Sequence, residues 1–147
     1  MKTVKGFFGK YRFLSNFWPA EVELDGIKFP TTEHAYQAAK TLDVDTRKQI
    51  AALEKPGEAK KFPRKKEFSL RSDWDEVKLS VMEDLLRQKF QHPELKEKLL
   101  TTGNSHLEET NTWGDVFYGV YNGVGQNHLG RLLMKIRSEI MAEVNNE

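Results

Sequence analysis

The sequence predicts a mainly α-helical α+β fold, a compact helical domain carrying one β-hairpin and one or two short strands. Three observations predict it. Apolar residues recur at helical spacing, most clearly from Trp74 to Phe90 and from Leu129 to Val144. Asp25-Gly26 sits between two short apolar-and-charged runs, a type I′ hairpin signal. Gly, Asn and aromatic residues gather between His106 and Asn127, where only Val116, Tyr118 and Val120 alternate. At 147 residues, a single domain over 1–147 is expected, long enough to bury a core without staples.

Residues 3–8 lean toward β structure, and Gly9 ends them. Arg12 to Pro19 is aromatic-rich with Ser15-Asn16 inside it, so it reads as a loop or short extended piece. Loops holding several aromatics beside small polar groups often line ligand sites; Phe13, Phe17 and Trp18 can equally pin such a loop into a core. In the hairpin over 20–29, a two-residue loop pairs Leu24 with Ile27, Glu23 with Lys28 and Val22 with Phe29. The apolar pairs then share one face and the charged pair takes the other.

A helix near 31–42 follows. Pro30 blocks helix upstream, and Thr31 or Thr32 can cap the first free N–H groups. At about 100° per residue, Ala35, Ala38, Ala39 and Leu42 share a small-residue face. Glu33, Tyr36, Gln37 and Lys40 stand opposite. That polar face reads either as a solvated surface with a Glu–Lys pair or as the wall of a polar pocket.

A helix near 45–54 carries Ile50, Ala51 and Leu53, and Lys55-Pro56-Gly57 breaks it. One more helical turn fits 58–62 before Pro63. The basic stretch to Lys66 is then a connection. The strongest helix, 73–90, opens with Asp73 as N-cap and Glu76 three residues on, as in a capping box. Trp74, Val77, Val81 and Leu85 form its stripe, widened by Met82, Leu86 and Phe90. A helix near 93–100 starts at Pro93, a favoured first position. Thr101 to Asn104 is turn chemistry. The last helix, 127–145, buries a stripe of Leu129, Leu132, Leu133, Ile136, Ile140 and Val144.

The chain has no cysteine, which excludes disulfides, cysteine zinc sites and a thiol nucleophile. No apolar run approaches a membrane span and the first residues lack a signal-peptide stretch, so no membrane partner and a cytoplasmic location are expected. Four histidines show no ligand spacing, and no metal site is expected. Without a phosphate-binding glycine loop, a dinucleotide fingerprint or a nucleophile elbow, no cofactor is expected either. Oligomeric state is unreadable from the sequence. Net charge is +1, yet Lys60, Lys61, Arg64, Lys65 and Lys66 lie close together. Such a run is either a solvated turn or a contact for phosphates. Candidate carboxylates are Glu33, Asp75, Glu109 and Asp115, of which Asp75 also suits a helix N-terminus. Phe17, Trp74, Trp113 and Tyr118 can stack a planar base or fill a core.

Gly9 with Phe13-Leu14-Ser15-Asn16-Phe17, then Gly26 and Phe29-Pro30-Thr31-Thr32-Glu33-His34 with Gln37 and Lys40, resemble the opening of the NADAR/YbiA-like family. Glu58-Ala59-Lys60, Asp73-Trp74-Asp75, Met82, Lys89-Phe90, Leu99-Leu100 with Thr102-Gly103, and Glu109 follow in the family's order. The ending Asn127-His128-Leu129-Gly130 with Leu133-Met134 and Arg137 matches too. The likeness covers nearly the whole chain. Two departures stand out. Pro63-Arg64 replaces the family's usual Gly-Arg, and Asp115-Val116-Phe117-Tyr118-Gly119 carries Tyr where the family has Trp.

The resemblance implies an N-glycosidase that breaks the bond from a ribose anomeric carbon to nitrogen, with no metal or cofactor. One implied substrate is ADP-ribose attached to guanine, which makes ADP-ribosylated nucleic acid the partner. The other is a phosphorylated riboside, a ribosylamino-pyrimidine intermediate of riboflavin biosynthesis. A nucleotide- or ADP-ribose-binding module without turnover is the non-enzymatic alternative. The reaction builds positive charge on the sugar, so it needs a carboxylate nearby, an oriented water and a proton for the departing nitrogen. On this likeness Glu33 and Glu109 are the leading catalytic carboxylates, with Asp115 a third or an orienting group. Lys40 is implied either as the acid or as a Schiff-base amine. Lys60, Arg64 and Lys89 are implied for phosphate, Ser15 and Asn16 for ribose hydroxyls, and Trp74, Trp113 or Tyr118 for the base. Phe17, Gln37, Asp75 and Asn127 complete the implied substrate-binding set.

Overall fold

A computed structural model describes residues 2–146. In chain order the elements are β1 (Thr3–Lys5), a 3-10 helix (Gly9–Leu14), β2 (Pro19–Leu24), β3 (Ile27–Thr31), α1 (Thr32–Ala39), α2 (Val44–Ala51) and α3 (Pro56–Lys61). A 3-10 turn (Phe62–Arg64), α4 (Trp74–Lys89), α5 (Pro93–Thr101), β4 (His106–Glu108), β5 (Thr110–Asn111), β6 (Val120–Tyr121) and α6 (His128–Asn145) follow. The fold is therefore α+β and mainly helical, as the sequence predicts. The chain divides into two units, Asn16–Lys89 and Met1–Ser15 with Phe90–Glu147.

In the unit Asn16–Lys89 the hairpin forms as its turn dictates. Asp25 and Gly26 take φ of 48° and 82°, the left-handed pair that a I′ turn needs. The register is the expected one, Leu24 opposite Ile27, Glu23 opposite Lys28 and Val22 opposite Phe29. Thr31 caps α1, its Oγ1 accepting the His34 N–H at 3.1 Å. Helix α1 then packs against β2, β3, α2, α3 and α4. It ends at Ala39, earlier than the spacing suggests, and Leu42 lies 63% exposed. The cause is local. The Thr41 carbonyl accepts from Arg47 Nε at 2.8 Å, and the Asp43 carboxylate caps α2 by accepting the Thr46 N–H at 3.0 Å. All eight residues of α1 are buried, so the solvated-surface alternative for its polar face does not hold.

Two further expectations change in this unit. The break between helices comes at 52–55, earlier than expected, and Pro56 itself occupies the first turn of α3, where its missing N–H costs nothing. Asp73 does not complete a capping box. Arg71 takes both of its carboxylate oxygens, at 2.6 and 3.0 Å, and the Glu76 N–H goes to the Asp73 carbonyl at 3.0 Å. The buried line of α4 runs through Trp74, Met82, Leu85, Leu86 and Lys89, leaving Val77 and Val81 half-buried. Near the end of α4 the Gln88 amide meets the hairpin. Its Nε2 donates to the Glu23 carbonyl at 2.8 Å, and its Oε1 accepts the Glu23 N–H at 2.7 Å.

In the other unit, Arg12 to Leu14 belong to the 3-10 helix and not to a loop. β1 pairs in parallel with β4, placing Val4 opposite Leu107, and β5 pairs in parallel with β6. The alternating strand through Val116 and Tyr118 does not form; only Val120 and Tyr121 pair. The carbonyls of residues 116–119 go elsewhere. Val116, Phe117, Tyr118 and Gly119 accept the N–H groups of Gln126, His128, Leu129 and Asn127 at 2.8, 3.1, 3.0 and 3.2 Å. The loop thereby satisfies donors that the start of α6 leaves open. Leu129, Leu133, Ile136 and Ile140 form the buried face of α6, while Val144 is exposed. Among the described residues no helix is long and apolar enough to cross a membrane.

Candidate active site

The residues proposed for chemistry lie in two clusters, one in each unit. The first is built on α1. Thr31 and Pro30 fix where the helix begins, which puts Glu33 in its first turn. The Glu33 N–H is held by the Asn16 carbonyl at 3.0 Å, tying the aromatic loop to the helix start. One turn on, Gln37 Nε2 donates to Glu33 Oε2 at 2.5 Å. Glu33 and Gln37 are 8% and 6% exposed. Burial of that kind makes a carboxylate's charge felt strongly by its neighbours.

Lys40 completes the row at the end of α1. Its carbonyl and that of Ala39 accept from Arg71, the former from the backbone N–H at 2.7 Å and the latter from Nη1 at 3.4 Å. Burial pushes the Lys40 ammonium below its ordinary value. The Glu33 carboxylate opposes that shift, and the like charge of Lys78 adds to it. Lys40 Nζ stands 5.6 Å from the centroid of the Tyr36 ring, and Trp74 meets the same ring edge-on at 5.0 Å. Glu33, Tyr36, Gln37, Lys40 and Trp74 thus form one connected group. Phe17 is linked to α3 by Lys60, whose Nζ lies 6.0 Å from its ring centroid.

Two acceptors in this cluster have no partner. Gln37 Oε1 and Asn16 Oδ1 are buried without a hydrogen bond, while Asn16 Nδ2 reaches only the Met82 sulfur at 3.7 Å. Buried polar atoms are normally satisfied, so each of these two oxygens still has its capacity to accept a hydrogen bond.

The second cluster is built around Glu109, between β4 and β5. Its N–H is accepted by Asn127 Oδ1 at 3.0 Å, and its carbonyl accepts the Val120 N–H at 2.9 Å. Asn127 Nδ2 donates to the Leu107 carbonyl at 2.9 Å, from a left-handed backbone with φ of 54°. Gly130 sits beneath this clamp. A Cβ there would stand 2.0 Å from the Leu107 carbonyl oxygen and 2.5 Å from the Asn127 amide. Asp115 holds its own loop, with Oδ1 accepting the N–H groups of Phe117 and Tyr118 at 3.0 and 2.9 Å. Tyr118 is half-buried, edge-on to Phe117 at 4.8 Å.

Of the remaining sequence-derived residues, the Asp75 side chain is 91% exposed and pairs with Lys78 at 3.3 Å. Trp113 is 59% exposed, and Arg64 is exposed in the basic stretch. Lys89 is wholly buried as the last residue of α4. Ser15 closes the 3-10 helix, its N–H bound to the Arg12 carbonyl at 3.0 Å. Sequence reasoning missed Asn111, which is buried at the centre of the Glu109 loop. Its Oδ1 accepts the N–H groups of Trp113 and Asp115 at 3.2 and 3.0 Å, and its Nδ2 donates to the Asp115 carbonyl at 2.8 Å. An Asn inside a run of turn residues was the available signal. Arg71, which ties the end of α1 to Asp73, gave none. Among the described residues no group of three or more His, Asp and Glu side chains is placed to hold a metal ion.

Comparison with known proteins places this geometry in context. The NADAR domain family model matches residues 6–141. The chain is 40% identical over 137 residues to N-glycosidase YbiA of Escherichia coli strain K12, covering 90% of this chain and 84% of that protein. It is 36% identical over 130 residues to riboflavin biosynthesis protein VVA0006 of Vibrio vulnificus, covering 87% of this chain but only 35% of that longer protein. The NMR structure of the E. coli protein YbiA superposes with a TM-score of 0.83 at 37% identity, covering 100% of this chain and 90% of that one.

Proposed function

The chain belongs to the NADAR domain family and is a hydrolase that cleaves N-glycosyl bonds, and on that premise we propose that it removes ADP-ribose from guanine in nucleic acid. The observation that carries the proposal is the row on α1: a buried carboxylate, an amide bonded to it, and an amine of lowered pKa. When the bond from C1′ to the base nitrogen breaks, positive charge spreads over C1′ and the ring oxygen. Glu33 stabilises that charge. The departing nitrogen takes a proton from the Lys40 ammonium, and water adds at C1′ with loss of its own proton. The proton that this water loses returns to the Lys40 amine left by the first transfer, and Asp115, in the other unit, is assigned only the shaping of the loop around Glu109. Asn16 Oδ1 and Gln37 Oε1 accept from ribose hydroxyls, and Lys60 meets phosphate.

A second reading has a specific observation behind it. The likeness to a protein named for riboflavin biosynthesis favours a phosphorylated ribosylamino-pyrimidine as substrate. Both readings use the same bond and the same residues. The discriminating experiment incubates the protein with each substrate and follows release by mass spectrometry. Free ADP-ribose from the modified oligonucleotide is the expected result; turnover of the pyrimidine riboside alone refutes the primary reading. Glu33→Gln should keep the fold and lower turnover about 10²-fold or more. Borohydride reduction during turnover should leave Lys40 unmodified. A stable ribosyl adduct on Lys40 would replace the acid role with a Schiff base.

A further inference from the structure

We propose that the basic face around α3 is a binding surface for single-stranded nucleic acid, separate from the row on α1. The inference builds on the nucleic-acid reading above and adds a site to it. Five of the seven residues 60–66 are Lys or Arg and none is acidic, although the whole chain carries a net charge of only +1. The rest of the molecule is therefore net negative, and the positive potential is concentrated here. The backbone explains the outward display. Ala59 and Phe62 are buried on the inner side of α3 and its 3-10 extension, so Lys60, Lys61 and Arg64 emerge on the outer side. Tight turns then carry the chain onward, with the Lys65 N–H bound to the Phe62 carbonyl and the Phe68 N–H to the Lys65 carbonyl, each at 3.1 Å. Among the described residues, Lys61, Arg64, Lys65 and Lys66 are in no ion pair.

A cavity of about 390 Å³ opens at Lys65, at the edge of this stretch, lined by Thr46, Gln49, Phe62, Lys65, Glu67 and Phe68. Lys65 Nζ lies 4.3 Å from the Phe62 ring centroid, and Phe68 stands edge-on to Phe62 at 6.3 Å. A flat base entering here meets an aromatic ring and an ammonium. Thr46, Gln49 and Glu67 offer hydrogen bonds to its edge. A run of exposed cations leading to a recess with aromatic rings suits a strand of alternating phosphates and bases. Lys60 extends the cationic line toward Phe17, so a strand lying on this face runs toward the loop that holds the start of α1.

The test uses the full chain and a labelled, unmodified single-stranded oligonucleotide, with anisotropy read between about 50 and 200 mM salt. The variant Lys61→Gln/Lys65→Gln/Lys66→Gln should bind at least about tenfold more weakly. The slope of log K against log salt should flatten by about 2, as loss of three single-strand phosphate contacts demands. Phe68→Leu should weaken binding roughly fivefold or more with the slope unchanged. Turnover of a small, non-polymeric N-riboside should match the parent protein in both variants. Unchanged affinity and slope in the triple variant would overturn the proposal, as would a parent protein that binds anionic vesicles but not the oligonucleotide. Either failure leaves the hydrolysis reading standing, because that reading depends on ADP-ribose release and not on this binding.

Discussion

Asn127→Ala is the sharpest perturbation of the Glu109 loop. The side chain makes two hydrogen bonds, accepting the Glu109 N–H at 3.0 Å and donating to the buried Leu107 carbonyl at 2.9 Å. Truncation leaves both backbone groups without a partner, at about 1–3 kcal/mol each. Glu109 is only half-buried, so water can reach its N–H and the lower part of that range applies there. Alanine must also hold a φ of 54°, which costs about 1 kcal/mol more than asparagine or glycine does. The expected loss is therefore about 3–5 kcal/mol in urea unfolding followed by circular dichroism. Asn127→Gly separates the two causes. It loses the same hydrogen bonds without the backbone strain, so it should be about 1 kcal/mol less damaging. A loss below about 1 kcal/mol for alanine, or a glycine variant less stable than the alanine one, would refute the reasoning.

Three other expectations follow from the same geometry. Gly130→Ala forces a Cβ against a backbone oxygen that cannot swing away, so it should lower the melting temperature by an amount equivalent to at least about 2 kcal/mol; a melt like the parent's would show that α6 can shift freely. Burial lowers the His34 pKa from 6.5, with its ring held between Thr31 Oγ1 and the Leu53 carbonyl. The unfolded chain then binds the extra proton first, so stability is full above 6.5 and falls as pH drops toward the lowered value; His34→Gln should flatten that part of a pH–stability curve. The Lys40 ammonium is lowered from 10.5, so a rate that requires it should decline on the alkaline side before ordinary lysines titrate. A pH–rate profile flat through that region would remove Lys40 as the acid.

The parts legible in the sequence are those set by near neighbours. Asp25-Gly26 dictates its turn and therefore its register, because only a left-handed pair closes a two-residue loop with the right twist. Thr31 and Pro93 marked helix starts for equally local reasons. What lay outside reach was settled by distant partners. Spacing showed that α1 has a polar face but not that it is buried, since that depends on α2, α3, α4 and the hairpin arriving around it. Asp73 had a sound local rule for a capping box, and a guanidinium two residues away prevailed because it binds both oxygens at once. The parallel pairing of β1 with β4 joins segments some hundred residues apart and has no local signature. Glu33, Gln37 and Lys40 were visible as a row; the two amide oxygens beside them, without donors, were not.

Gln88 bears on how this protein behaves at high concentration. A two-stranded ribbon has open flanks whose peptide groups can recruit a strand from another molecule. At Glu23 the primary amide of Gln88 presents one donor and one acceptor in the spacing of a peptide unit, and both are engaged. It acts as a one-residue counterfeit of a neighbouring strand. An incoming chain would have to break two hydrogen bonds within the same protein before making its first, so self-association by strand addition is blocked at the turn end of β2.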